Sequence, residues 1–143
     1  MSIALVTGGS RGLGRDMALK LAQSGHDVLL TYVSNPEAAE AVVAEIAGLG
    51  QRAHALRLDV AKAEDFPAFF ETVRAALRSE FDAERFDYLV NNAGIGLHRP
   101  FEETSVEDFD LMMNVHLKST FFLTQGALEL LNNGGGVVNV SSG

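Results

Sequence analysis

Two periods of hydrophobicity alternate along this chain. The apolar run at residues 3–6 stops at Thr7-Gly8-Gly9, as a strand buried on both faces should. Leu13, Met17 and Leu21 then recur every four residues, a helical stripe that Gly25 ends. Residues 28–33 read as a second strand, and Ala38, Val42, Ile46 and Leu49 as the apolar face of a second helix with Glu45 at its exposed edge. A third strand is expected over residues 53–58, then a helix carrying Phe66, Phe69, Phe70, Val73 and Leu77. A fourth strand near residues 88–90 runs into Asn91-Asn92-Ala93-Gly94. A long helix starts at Thr104 or Ser105, either a suitable N-cap, and continues towards Leu131. Its inward stripe is expected to be Val106, Phe109, Met113 and Leu117. Gly134-Gly135-Gly136 break it, and residues 137–140 form a fifth strand. The pairs Phe69-Phe70, Met112-Met113 and Phe121-Phe122 are each expected to place one member in the core.

Strict β-α-β alternation with short connections predicts an α/β fold, a doubly wound parallel sheet with helices on both faces. With no internal repeat or linker, residues 1–143 read as one domain. In such sheets ligands bind beyond the carboxyl ends of the strands, where strand order reverses. Most of the conspicuous polar and glycine residues fall at those ends.

Composition narrows the chemistry. The net charge is −8 and the cations are scattered, which argues against nucleic acid as a partner, because phosphate backbones demand clustered positive charge. Cysteine is absent, so neither a disulfide nor a thiolate metal site is proposed, and His26, His54, His98 and His116 lack metal-ligand spacing. No apolar run approaches the roughly 18 residues of a membrane span, and the N-terminus lacks the layout of a secretory signal. No membrane partner is expected, and a cytoplasmic location is.

Thr7-Gly8-Gly9-Ser10-Arg11-Gly12-Leu13-Gly14 joins the first strand to the first helix. A bound phosphate needs bare N–H donors at a helix N-terminus with no side chains in the way, which glycines supply; an ordinary glycine-rich turn is the plainer alternative. Tyr32, 18 residues after Gly14, stands where an acidic residue would accept hydrogen bonds from the ribose 2′-hydroxyl of NAD. It is not acidic, and Asp27 lies at the strand's other end. Arg11 is either a solvated loop charge or a planar cation for the 2′-phosphate of NADP. Asp59 fits a turn or helix cap, and Asn91-Asn92-Ala93-Gly94 a polar turn whose amides brace neighbouring strands. Asn114 shares a side with Leu117 and Phe121 and is therefore expected to be buried in mid-helix, where its amide needs partners. Ser141-Ser142 end the fifth strand.

Thr-Gly-x-x-x-Gly-x-Gly after strand one, Asn-Asn-Ala-Gly after strand four, an Asn on the following helix and Val-Asn-Val-Ser-Ser at strand five occur here in the order of one family. Across essentially its whole length the chain resembles the short-chain dehydrogenases/reductases of the classical type, with the look of the branch containing 3-oxoacyl-acyl-carrier-protein reductases. The resemblance implies a Rossmann-type sheet and an oxidoreductase moving hydride between NADP(H) and a carbonyl or alcohol substrate, an acyl-carrier-linked one among the candidates. It assigns Gly8, Ser10, Arg11, Gly12, Leu13, Gly14, Tyr32, Asp59, Val60, Asn91, Ala93 and Gly94 to the cofactor. Within that set Arg11 favours NADP, Asp59 meets the adenine amino group, Val60 packs near the ring, and Ala93 and Gly94 let the ribose approach. Ser142 is implied to hold the substrate oxygen, and Asn114 to support a water-linked proton path to a catalytic Lys. The complete protein is implied to be a homodimer or homotetramer.

The family's general acid is a Tyr followed four residues later by a Lys, downstream of the Ser. Tyr32 and Tyr88 are followed at that distance by Pro36 and Asn92, so neither supplies the pair. The chain is thus expected to be the N-terminal, cofactor-binding portion of such an enzyme, with an apolar flank left for later elements to cover. The alternative is a noncatalytic nucleotide-binding module.

Overall fold

The computed structural model describes residues 2–141. Five strands, β1 (Ile3–Val6), β2 (Asp27–Tyr32), β3 (Ala53–Arg57), β4 (Phe86–Asn91) and β5 (Leu131–Asn139), form one parallel sheet in the order β3-β2-β1-β4-β5. Helices α1 (Gly12–Gln23), α2 (Pro36–Gly48) and α3 (Phe66–Phe81) connect the first four strands. Between β4 and β5 lie α4 (Val106–Met113), a π-helical turn (Asn114–Lys118) and α5 (Ser119–Ala127). The expected strand-helix alternation is present, and strand order reverses between β1 and β4.

Alternating side chains of the parallel strands feed a core on each face of the sheet. On one side Leu5, Leu29 and Leu89 meet Phe69, Phe70, Val73 and Leu77 of α3 and Leu123 of α5. On the other, Val6, Val28, Leu30 and Val90 meet Ala18 and Ala22 of α1 and Val42 and Ile46 of α2. Asp27 begins β2 as a buried carboxylate. Its oxygens accept from Arg52 N at 2.8 Å and Gln51 Nε2 at 2.9 Å, so it secures the opposite end of the sheet from the glycine turn.

Helix faces differ from the periodicity reading in three places. On α2, Val42 and Ile46 are buried as expected, but Ala39 takes the interior place of Ala38, and Leu49, the C-cap, is exposed. The α1 stripe that is fully buried is Gly14, Ala18 and Ala22, one position on from Leu13, Met17 and Leu21, and Leu13 is 58% exposed. A one-residue shift rotates the face by about 100°. Small residues face inward because α1 starts against the β1 turn: a Cβ on Gly14 would stand 2.0 Å from the Gly8 carbonyl oxygen.

On the long helix, Val106, Phe109, Met113 and Leu117 face outward, the reverse of the expected stripe. Val115, Ser119, Leu123 and Ala127 are buried instead. Asn114 is half-buried, while Leu117 and Phe121 on its side are exposed. Both faces of this helix are apolar, so periodicity could not choose between them. Packing chooses: the Phe70 ring of α3 lies where a Cβ on Gly126 would be, 2.5 Å from Phe70 Cε2, so the helix turns its small side inward. The pairs follow suit, with Phe69 and Phe70 both buried, Phe121 and Phe122 both exposed, and Met112 half-buried beside exposed Met113.

Ser105 is the N-cap of α4 in a reciprocal capping box with Asp108. The helix ends at Ala127, and Leu131 already belongs to β5. Gly134, Gly135 and Gly136 therefore lie inside the strand, at a register shift opposite residues 86–88, where Gly134 adopts a φ of 85°.

Candidate dinucleotide site at the strand-order reversal

The first turn is built from the backbone outward. Gly8 and Gly12 adopt φ of 66° and 56°, the left-handed region that a β-carbon disfavours. Gly8 N donates to Thr31 Oγ1 at 3.0 Å and Gly9 N to the Thr31 carbonyl at 3.0 Å, tying the turn to β2. Arg11, extended and exposed, is the N-cap of α1 and makes no side-chain cap bond, so the first turn of α1 lacks a capping side chain. Its aligned dipoles favour an anion.

The other wall comes from β4. Thr7 Oγ1, 1% exposed with its residue, accepts from the backbone N–H groups of Asn92 and Ala93, each at 3.0 Å, and donates to the Val90 carbonyl. Asn92 Nδ2 donates back to the carbonyls of Thr7 at 3.1 Å and Gly8 at 3.2 Å. These bonds lock the glycine turn to the Asn-Asn-Ala-Gly turn across the reversal point. A Cβ on Gly8 would come within 3.0 Å of Ala93 Cα.

Gly8, Ser10, Arg11, Gly12, Leu13, Gly14, Ala93 and Gly94 thus gather at the carboxyl ends of β1 and β4, with Tyr32 half-buried at the end of β2. Asp59 and Val60 follow β3. Asp59 Oδ1 accepts from Ala61 N at 3.0 Å, the turn role open to it from sequence, and Val60 is packed in the α3-side core. Asn91 points elsewhere: its Nδ2 donates to Thr124 Oγ1 at 3.2 Å and Asn139 Oδ1 at 2.9 Å, bracing β4 against α5 and β5. Its own Oδ1 is buried without a partner. Ser142 lies outside the described residues. Among the described residues no three His, Cys, Asp or Glu side chains converge as a metal site.

Asn92 braces the β1 backbone as expected of the amide pair. Sequence reasoning missed Thr7, whose hydroxyl joins the two turns, Thr31, whose hydroxyl ties the glycine turn to β2, and His116, whose Nε2 lies 2.9 Å from the Ile95 carbonyl oxygen. The signal for Thr7 was available, since a hydroxyl residue closing a buried strand needs polar partners. His116 had no such signal.

A parallel sheet reversing at β1 and β4, with a glycine turn between β1 and the N-terminus of α1, defines a Rossmann-type dinucleotide-binding architecture. The chain belongs to the short chain dehydrogenase family, whose model matches residues 2–143. It is 39% identical over 140 residues to the hydroxynaphthalene reductase-like protein Arp2 of Metarhizium robertsii, covering 98% of this chain and 50% of that protein. Tetrahydroxynaphthalene reductase PfmaG of Pestalotiopsis fici is 35% identical, covering 98% of this chain and 48% of that protein. Among solved structures, landomycin C-6 ketoreductase LanV with bound NADP and rabelomycin superposes with a TM-score of 0.95 at 39% identity, over 99% of this chain and 58% of that one. A Burkholderia cenocepacia short chain dehydrogenase in complex with NADP gives 0.88 at 38%, over 99% and 55%. The chain spans about half the length of the curated relatives it matches. No helix among the described residues is long and apolar enough to cross a membrane.

Proposed function

We propose that this chain forms the cofactor-binding half of an NADP(H)-dependent oxidoreductase that interconverts a carbonyl and an alcohol. The observation that carries the reading is the cradle at the β1 turn. Two positive-φ glycines, and a third position where a β-carbon would meet the Gly8 carbonyl at 2.0 Å, keep the N-terminus of α1 clear of side chains. That is the donor set a dinucleotide phosphate needs. When bound, NADP(H) supplies or accepts the hydride. Arg11 offers a guanidinium for the 2′-phosphate, and Tyr32 leaves out the carboxylate that would repel it. The NADP bound in LanV and in the Burkholderia cenocepacia dehydrogenase supports the same choice.

Asp59 is assigned to the adenine edge, with Val60 beside the ring, and Ala93 and Gly94 to the ribose. Ser142 is assigned to the substrate oxygen, where its hydroxyl steadies the charge that develops on it. Asn114 is assigned to the proton path, and the general acid to residues outside this chain. Ketone reduction is the direction favoured by the names of the relatives, and a 3-oxoacyl thioester is the finer substrate reading. Comparing 3-oxoacyl thioesters with fused-ring ketones decides that point. Val106, Phe109, Leu117 and Phe121, exposed along one helix, favour a homodimer or homotetramer for the complete protein.

The test is cofactor titration of the full-length protein. NADPH should bind more tightly than NADH, and Arg11→Ala should weaken NADPH by at least about tenfold while leaving NADH nearly unchanged, the scale of one charge-assisted contact. Equal losses for the two cofactors would remove Arg11 from the role, and no binding of either would refute the dinucleotide reading.

A further inference from the structure

We infer that His116 is a positioning residue, which through a hydrogen bond from its imidazole to the backbone of Ile95 sets the shape of the wall at residues 93–95 beside the glycine turn. The inference rests on the cofactor reading and assigns to that site a residue the sequence pattern did not mark.

Residues 93–95 are held at both ends. At the first, Ala93 N donates to Thr7 Oγ1 at 3.0 Å, fixing the segment to β1. At the second, His116 Nε2 lies 2.9 Å from the Ile95 carbonyl oxygen and 3.3 Å from Ile95 N. One ring nitrogen serves one of these partners at a time. With its proton it donates to the carbonyl, and without it accepts from the amide. Between the two pins the ring leans on Gly94, where a Cβ would stand 2.6 Å from His116 Cε1. Gly94 therefore admits the ring as well as leaving the wall open.

The helix places His116 by departing from α geometry. Residues 114–118 form a π turn in which Ser119 N bonds to the Asn114 carbonyl, five residues back. Such a turn inserts a residue and rotates the rest of the helix about its axis, a device frequent at functional sites. Its inward member, Val115, is buried in the α3-side core, while the adjacent His116 reaches the loop after β4. Among the described residues, the side chain of this helix that hydrogen-bonds residues 93–95 is that of His116. Arg99, paired with Asp108 of α4 at 2.8 Å, anchors the same loop further on and leaves residues 93–95 to the imidazole.

Two variants separate a positioning bond from a space-filling ring. His116→Leu keeps bulk and removes the bond. His116→Gln carries a side-chain amide at about the reach of Nε2, and its N–H and carbonyl can serve either Ile95 group. In the full-length protein, His116→Leu should accelerate amide hydrogen exchange at residues 93–95 and weaken NADPH binding by about fivefold, the scale of one net hydrogen bond. His116→Gln should stay within about twofold of wild type on both readouts, far inside the scale of that bond. A leucine variant that matches wild type, or a glutamine variant that falls as far as leucine, overturns the inference. Wild-type protein that binds no NADPH fails at an earlier step and removes the cofactor reading itself.

Discussion

Replacing Thr7 with valine removes one hydroxyl from a site that is 1% exposed and changes the side-chain shape hardly at all, so no cavity complicates the result. That hydroxyl accepts from Asn92 N and Ala93 N and donates to the Val90 carbonyl. Asn92 N has a second acceptor, the Val90 carbonyl at 3.1 Å, and Val90 O also receives Thr7 N at 3.1 Å. The group left without a partner is therefore Ala93 N. A fully buried donor left unmade costs about 1–3 kcal/mol, and Ala93 is half-buried, so the lower end of that range applies. Taking about 1 kcal/mol, and a urea slope of about 2 kcal/mol per molar for a domain of this kind, the midpoint should fall by about 0.5 M. Thr7→Ser keeps the acceptor and should recover at least half of that loss. Urea titration of the full-length protein, followed by circular dichroism, reads both variants. NADPH affinity should fall with the valine variant as well, because the same hydroxyl joins the glycine turn to the β4 turn. A valine variant as stable as wild type, or a serine variant as damaged as valine, would refute the account of Thr7 as the lock between the turns.

One crowded and one uncrowded glycine of the turn give a second contrast. Gly14→Ala drives a β-carbon to 2.0 Å from the Gly8 carbonyl and should cut NADPH affinity by more than about tenfold, because backbone must move. Gly12→Ala meets no protein atom within 4 Å and should cost the fold only the left-handed conformation, about 1–2 kcal/mol of stability; an equal loss of stability from the two variants would contradict the steric argument. Ser142→Ala in the full-length protein should depress turnover by about a hundredfold, on the scale of losing one donor to a developing oxyanion, with NADPH affinity intact; unchanged turnover would return Ser142 to a structural role. Asn91→Leu should destabilise the β4–β5 junction by about 1–3 kcal/mol in urea titration while sparing NADPH affinity, and a loss of affinity without a loss of stability would place Asn91 at the cofactor after all.

The sequence by itself determined the alternation of strand and helix, the parallel sheet and the positions of both turns. Buried parallel strands must be short, continuous apolar runs, and Thr-Gly-x-x-x-Gly-x-Gly and Asn-Asn-Ala-Gly are local in the chain. It also offered Ser105, beside Thr104, as an N-cap of the long helix, and the structure chose Ser105. What it did not determine was which side of a helix faces inward when both sides are apolar. Leu13 and Gly14 compete for the same interior one position apart, and only the approach of α1 to the Gly8 carbonyl awards it to glycine. The long helix shows the same limit, since Phe70, remote in sequence, decides that Gly126 and not Phe121 or Phe122 turns to α3. The glycines of residues 134–136 read as a helix breaker because glycine is poor in helices, yet they accommodate a shifted strand register that exists only beside β4. The functional partners that escaped notice are of this kind too. Thr7 with Ala93, and His116 with Ile95, are joined across the chain by tertiary packing, and a one-dimensional pattern carries no record of which distant backbone a hydroxyl or an imidazole will meet.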